Sequence, residues 1–282
     1  PFFSLHKQVS RKEDKGMVKV PFPIEELTDI HVSDRDTYVR YLDGTLEKVV
    51  FRIDGLPEVS CRDTVSGTDC VKNARVTVAE GHVFIRLLPS KPMPVTETAG
   101  LIVVSEMESL KPGLFLVSGT AGSGKSTALA SVLQHYVDSL PIHVVTAEDP
   151  IEYFIFPGLG HATQHETEDF AAAVKRSLRE DPDVILIGEI RDKATADAAL
   201  LAAETGHTVF ATIHGDGVVG AIERMLGIFS GDDYAAFRIS QAYLGGMHME
   251  RRGPERTAKE RLWTNTAVKT YIRERKLHQL HV

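Results

Sequence analysis

Residues 119–126 read Gly-Thr-Ala-Gly-Ser-Gly-Lys-Ser, the complete G-x-x-x-x-G-K-[ST] pattern of a phosphate-binding loop. Ahead of it, Gly113-Leu-Phe-Leu-Val-Ser118 is a short apolar run that reads as a buried strand. Behind it, Thr127-Ala-Leu-Ala-Ser-Val-Leu-Gln-His135 carries apolar residues three and four apart, the period of a helix. The glycines let backbone N–H groups close around a phosphate, and the helix N-terminus adds partial positive charge. Gly119, Thr120, Ala121, Gly122, Ser123 and Gly124 form the cradle, with Thr127 just inside the helix. Lys125 reaches the β- and γ-phosphates, and Ser126 offers a hydroxyl to Mg²⁺. A plain turn has no need of Lys-Ser at its end, so the pattern points to ATP or a related nucleotide. What the binding drives is left open, because this loop serves kinases, switches, transporters and motors alike.

Outward from the loop, strands alternate with helices. Strands are expected at 113–118, 142–147, 183–188 and 207–213, and helices at 125–137, 168–179, 193–204 and 218–228. Such alternation predicts a mostly parallel sheet covered on both faces, with the ligand at the C-terminal ends of the strands. Residues 232–282 read as mostly helical and charged. The N-terminal third differs. Short runs at 29–33, 37–41, 47–52, 74–78 and 82–88 read as strands, Asp43-Gly44 as a hairpin turn, and 60–73 as a polar loop. A small antiparallel sheet domain with at most one or two helices follows. Pro89-Ser-Lys-Pro-Met-Pro94 reads as a hinge, so the boundary falls between residues 1–95 and 96–282.

Composition excludes several classes. Hydrophobic residues make up 43% and charged residues 25% of the 282 residues, ordinary for a globular chain. The net charge of −7 argues against a strong nucleic-acid footprint. No apolar run approaches the roughly 20 residues of a membrane helix, so no direct membrane insertion is expected. Cys61 and Cys70 are too few for a four-cysteine zinc site and read as free thiols.

Three further segments carry chemistry. Asp183-Val-Ile-Leu-Ile-Gly-Glu189 is a buried strand ending in an acid, the partner a phosphate-binding loop expects, which sets Glu189 near Mg²⁺ or its water shell. Thr146-Ala-Glu-Asp-Pro-Ile-Glu152 ends another strand with three acids in five residues. That is either a carboxylate set that orients or deprotonates a water, or a solvated acidic turn ended by Pro150. His207 and His214 bracket one apolar strand, and each is either structural or a sensor of the γ-phosphate.

Together these segments resemble the secretion ATPase superfamily, most closely the type IV pilus retraction-type motors. The loop at 119–126, the acidic box at 146–152, the stretch Leu178–Asp192 and the histidine box Ala202–His214 stand in the family's order. Ala267-Val-Lys-Thr-Tyr-Ile-Arg-Glu274 resembles a C-terminal motif of retraction motors, whereas Gly215 replaces a common threonine after the histidine box. The resemblance implies a PAS-like N-terminal α+β domain, a RecA-like P-loop domain and a ring-shaped homohexamer that hydrolyses ATP with Mg²⁺. It also implies a cytoplasmic location, peripheral to the inner membrane and docked on an integral platform protein of a pilus or secretion system. Carried over, Glu152 is the general base, Glu148 and Asp149 shape its box, and Glu189 and Ser126 serve the metal. His207 and His214 link nucleotide state to domain movement, and Arg75 and Arg86 reach the phosphates, with Arg191 and Arg224 as further candidates. Competing readings are a DNA-translocating or conjugation-system motor and a nucleotide-binding regulator.

Overall fold

Alternation of apolar and polar side chains builds the first sheet. On strand β3 (Thr37–Tyr41) Thr37 and Val39 are buried, and on β7 (His82–Leu87) Ile85 and Leu87 turn inward while Phe84 and Arg86 face out. The remaining strands of this unit are β1 (Val18–Lys19), β2 (Leu27–Val32), β4 (Leu46–Val49), β5 (Cys61–Ser66) and β6 (Val71–Ala79). They pair in the order β1-β5-β6-β7-β2-β3-β4, antiparallel except for the parallel β1–β5 contact. Ile24, Ile30, Val39, Val76 and Ile85 form its core.

The computed structural model describes residues 18–20, 23–32, 37–41, 45–49, 61–66, 71–79, 82–87, 91–107, 109–253 and 255–280. The chain divides into two units, Pro1–Ser90 and Lys91–Val282. Among the described residues of the first unit there is no helix. The polar stretch 60–73 is not the expected loop: it supplies β5 and the start of β6, because cross-strand pairing with neighbours outweighs its weak strand pattern. The Asp43-Gly44 turn and Cys70 lie outside the described residues, as do the side chains of Cys61 and Arg75.

The second unit is a mixed α/β layer structure. Its strands are β8 (Gly113–Gly119), β9 (His143–Glu148), β10 (His161–Glu166), β11 (Val184–Ile190), β12 (Thr208–Ile213), β13 (Tyr243–Arg252) and β14 (Glu255–Trp263). They lie in the order β10-β9-β11-β12-β8-β13-β14, all parallel except the antiparallel edge strand β14. Both faces are buried, so the central strands are continuously apolar. On β8, Leu114 and Leu116 point into one core and Phe115 and Val117 into the other. The first core is closed by α3 (Phe170–Ser177), α4 (Lys193–Glu204), α5 (Gly217–Ile228), α6 (Asp233–Ala242) and α7 (Thr266–Arg273). The second is closed by α1 (Gly100–Glu106) and α2 (Lys125–Ser139).

Helix starts follow local chemistry. Asp169 and Asp192 accept the backbone N–H groups of Ala172 and Thr195 at 2.9 and 2.8 Å. Asp216 does not cap α5. Instead Glu260 accepts from Val218 N at 2.9 Å and His248 Nδ1 from Gly217 N at 3.2 Å, tying α5 to the last two strands. The expectation of a mostly helical C-terminal segment is corrected here. Residues 243–263 form a hairpin whose first strand pairs in parallel with β8, and that pairing overrides the helical appearance of a charged run.

Candidate functional site

The phosphate-binding loop joins β8 to α2 at the C-terminal edge of the sheet. Gly119, Gly122 and Gly124 take φ values of +142°, +74° and +94°. Only at glycine is such a path free of strain. Lys125 Nζ donates to the loop's own carbonyls, at 2.8 Å to Gly119 O and 3.0 Å to Thr120 O. Burial holds its ammonium below the usual lysine range, opposed by the negative charges of Glu189 and Glu152.

Beside the loop lies a cavity of about 220 Å³ lined by Lys125, Ser126, Glu148, Glu152, Glu189 and His214, among others. Three strand ends bring these groups together: β9 carries Glu148, β11 carries Glu189, and β12 delivers His214 just past its last residue. One oxygen of the Glu189 carboxylate accepts from Arg191 Nε at 2.6 Å, and His214 Nε2 lies 2.8 Å from the other. Glu148 accepts from Thr146 Oγ1 at 2.7 Å and from Gln164 Nε2 at 3.3 Å. Gln164 also bonds Tyr153 O and Ile155 N, which fixes the chain leaving the acidic box. Asp149–Pro150 is a cis peptide, and Glu152 follows it, exposed on the cavity wall. The Tyr153 hydroxyl meets Thr127 Oγ1 at 2.8 Å, joining this segment to the start of α2.

Other expected residues stand elsewhere. His207 sits before β12 at the opposite edge of the sheet, where its carbonyl accepts from Gly113 N and its Nδ1 contacts Ala202 O at 2.9 Å. A six-residue strand spans about 20 Å. Within this chain His214 stands at the loop's edge and His207 at the far end of β12. Arg75 and Arg86 are cross-strand partners on β6 and β7. Arg86 donates to Asp29 at 2.9 Å and is 70% exposed. Arg224 lines a wider groove on the Gly119–Thr120 flank of the loop, together with His214 and His248. The supporting roles of Thr146, Tyr153 and Gln164 had no sequence signal of their own. His248 is likewise buried and unanticipated, with Nδ1 2.9 Å from Ser118 Oγ at the entrance to the loop.

A parallel α/β sheet with this loop and three acids at its C-terminal edge defines a P-loop nucleotide-binding protein. The family model for type II/IV secretion system proteins matches residues 48–246, and the chain belongs to that family. Over 211 residues it is 36% identical to the type IV pilus retractation ATPase PilT of Pseudomonas aeruginosa, covering 71% of this chain and 61% of that protein. Over 207 residues it is 35% identical to a twitching motility protein of Neisseria gonorrhoeae, covering 70% and 55%. The chain thus spans less than two thirds of the length of these relatives. Among solved structures, that of the pilus retraction motor PilT with bound ADP superposes with a TM-score of 0.77 at 30% identity, covering 90% of this chain and 84% of that one. The family resemblance is to retraction-type ATPases, and no helix among the described residues is long and apolar enough to cross a membrane.

Proposed function

We propose that this chain is the ATPase of a homohexameric motor, in which hydrolysis of ATP drives domain movement and thereby type IV pilus or secretion-system dynamics at the inner membrane. The observation that carries the reading is the single cavity where Lys125 and Ser126 face Glu148, Glu152, Glu189 and His214. In it the loop's N–H groups and Lys125 bind the phosphates, and Glu152 accepts a proton from the attacking water. Glu148 and Asp149 shape the approach. Arg191 and His214 orient Glu189, so a change at the γ-phosphate is transmitted to the chain after β12. Ser126 and Glu189 supply oxygen donors of the kind Mg²⁺ accepts alongside water and phosphate, and both line the same cavity. When bound, the ion would neutralise phosphate charge. The family resemblance gives Arg75 and Arg86 a part in phosphate contacts; they belong to a PAS-like domain of residues 1–95, followed by a RecA-like domain of residues 96–282. The ring is peripheral to the membrane, on its cytoplasmic side, and docks on an integral platform protein.

Steady-state phosphate release tests the chemistry. Lys125→Ala abolishes turnover, and Glu152→Gln lowers it by roughly 10²–10⁴-fold while nucleotide still binds. Near-normal turnover in Glu152→Gln removes that residue from the base role. Light scattering with Mg²⁺ and a non-hydrolysable ATP analogue tests the ring, which requires six copies of 31.1 kDa.

A further inference from the structure

We propose that Gln134 on α2, with Gln164 on β10, is a positioning residue for Glu152: the two amides replace the missing neighbour of an irregular strap and so fix where that carboxylate meets the attacking water. This rests on the nucleotide and general-base reading above and adds the groups that act through Glu152. Residues 151–160 leave the acidic box and return to β10 without joining a helix or a strand. Backbone N–H and C=O groups in such a stretch need partners from elsewhere. Two glutamines supply them.

Phe156 donates its N–H to Gln134 Oε1 at 2.8 Å, and its carbonyl accepts from Gln134 Nε2 at 3.0 Å. That is the double exchange an antiparallel partner residue would make. A backbone N–H only donates and a carbonyl only accepts, so the orientation of the amide is fixed. Gln134 is 7% exposed, and its Nε2 also donates to Asp138 Oδ1 at 2.9 Å, one turn farther along α2. Gln164 repeats the exchange one step back. Its Oε1 accepts from Ile155 N at 2.9 Å and its Nε2 donates to Tyr153 O at 2.9 Å. The strap then follows α2 to its end: Gly160 N donates to Val137 O at 2.8 Å, and a Cβ on Gly158 would lie 2.7 Å from the same carbonyl. Ile151 and Ile155 are buried, whereas Glu152 is exposed on the wall of the catalytic cavity. A second cavity, of about 30 Å³, is lined by Tyr153 and Ile155 of the strap and by Ser126 and Glu148. Side-chain packing is incomplete there, so the hydrogen bonds set the path. Upstream of Glu152 the sheet ends at Glu148; downstream the first fixed points are the residues the two glutamines hold. A shift of about 1 Å in a reacting group costs on the order of 100-fold in rate.

The test uses the whole chain with Gln134→Met, Gln164→Met, Glu152→Gln and each methionine variant combined with Glu152→Gln. Methionine is unbranched like glutamine and favours helices, so α2 stays intact. Hydrogen exchange reads the bonds without activity: protection is expected to fall at the Phe156 amide in Gln134→Met and at the Ile155 amide in Gln164→Met. In steady-state phosphate release from ATP, Gln134→Met is expected to lower kcat roughly 10–100-fold, with calorimetric ADP affinity within about twofold of wild type. Added to Glu152→Gln, it should lower the residual rate by less than about twofold, because the group it positions is already gone. Gln164→Met should repeat this cycle from the edge strand. A wild-type kcat in Gln134→Met overturns the proposal. So does an undiminished loss on top of Glu152→Gln, or an equal loss of ADP affinity, since either would mean a general loosening of the fold. Near-normal turnover in Glu152→Gln removes the base reading and the proposal with it, whereas a crippled Glu152→Gln beside an active Gln134→Met rejects the positioning role alone.

Discussion

Replacing Gly124 with alanine isolates the cost of the loop's backbone path. Gly124 holds φ +94° and ψ 17°, a left-handed conformation at the mouth of α2. An L-residue pays about 1–2 kcal/mol there. The new Cβ also comes within 3.0–3.4 Å of the Arg256 stem, a flexible neighbour that yields by a few tenths of an ångström. If the binding conformation of the loop rises by about 1–2 kcal/mol, ADP affinity falls roughly 5–30-fold. Gly206→Ala is the matched control: it has φ +105°, nothing within 4 Å of an added Cβ, and a place beside His207 at the far edge of the sheet. It carries the same backbone strain, so its melting temperature should drop by about 2–8 °C while ADP binding is unchanged. Calorimetric titration and thermal unfolding of both variants decide the matter. Gly124→Ala binding ADP within twofold of wild type, with Gly206→Ala destabilised as expected, would refute the view that this φ is needed for binding.

Three further outcomes follow from partners already described. Arg238, only 18% exposed, bonds Asp197 at 2.8 Å and Glu204 at 2.8 and 3.0 Å, clamping α6 to α4. Arg238→Ala should cost about 2 kcal/mol in denaturant unfolding and Arg238→Lys should recover only part, since an ammonium cannot hold both carboxylates in the same fork; an unmoved midpoint sinks this assignment. Burial pushes the Tyr136 phenol from 10.0 up to about 12, and its hydroxyl donates to Met107 O at 3.0 Å. A folded pKa above the unfolded one gives stability that is complete below pH 10 and drains away as pH rises through about 12, so Tyr136→Phe should flatten the alkaline decline; an undiminished decline contradicts the reading. Lys125 is shifted the other way, so its charge is lost below the usual lysine value. Nucleotide affinity should weaken on the alkaline side before an ordinary lysine would titrate, and a titration series flat up to pH 10 would count against it.

Much of the second unit was legible because its signals are local. The run at 119–126 fixes a strand, a turn and a helix together, and continuous apolar runs mark β8, β11 and β12 as buried on both faces. Legibility ends where a segment takes its state from neighbours. The β10 strand, His161–Glu166, has almost no apolar pattern and exists through its register with β9. The β14 strand is charged because it is an exposed edge, and charge at an edge is how sheets avoid further pairing. The place of His207 follows from topology and not from local pattern: in a parallel sheet the ligand edge is the C-terminal one, and this residue precedes its strand. Glu148, Glu189 and His214 share that edge because each ends a parallel strand, whereas their supporting contacts from Gln164 and Thr146 depend on packing that no local pattern encodes.

The sheet's two edges also divide the chain for the experimenter. One edge gathers the loop, the acids and His214; the other carries the turn Thr205–His207. Gly206 there faces open space. A fluorophore or affinity handle inserted at that turn would ride on α4 and β12, about a strand's length from the nucleotide. Motion of the His214 segment could then be watched from behind, by a probe that never touches the chemistry it reports.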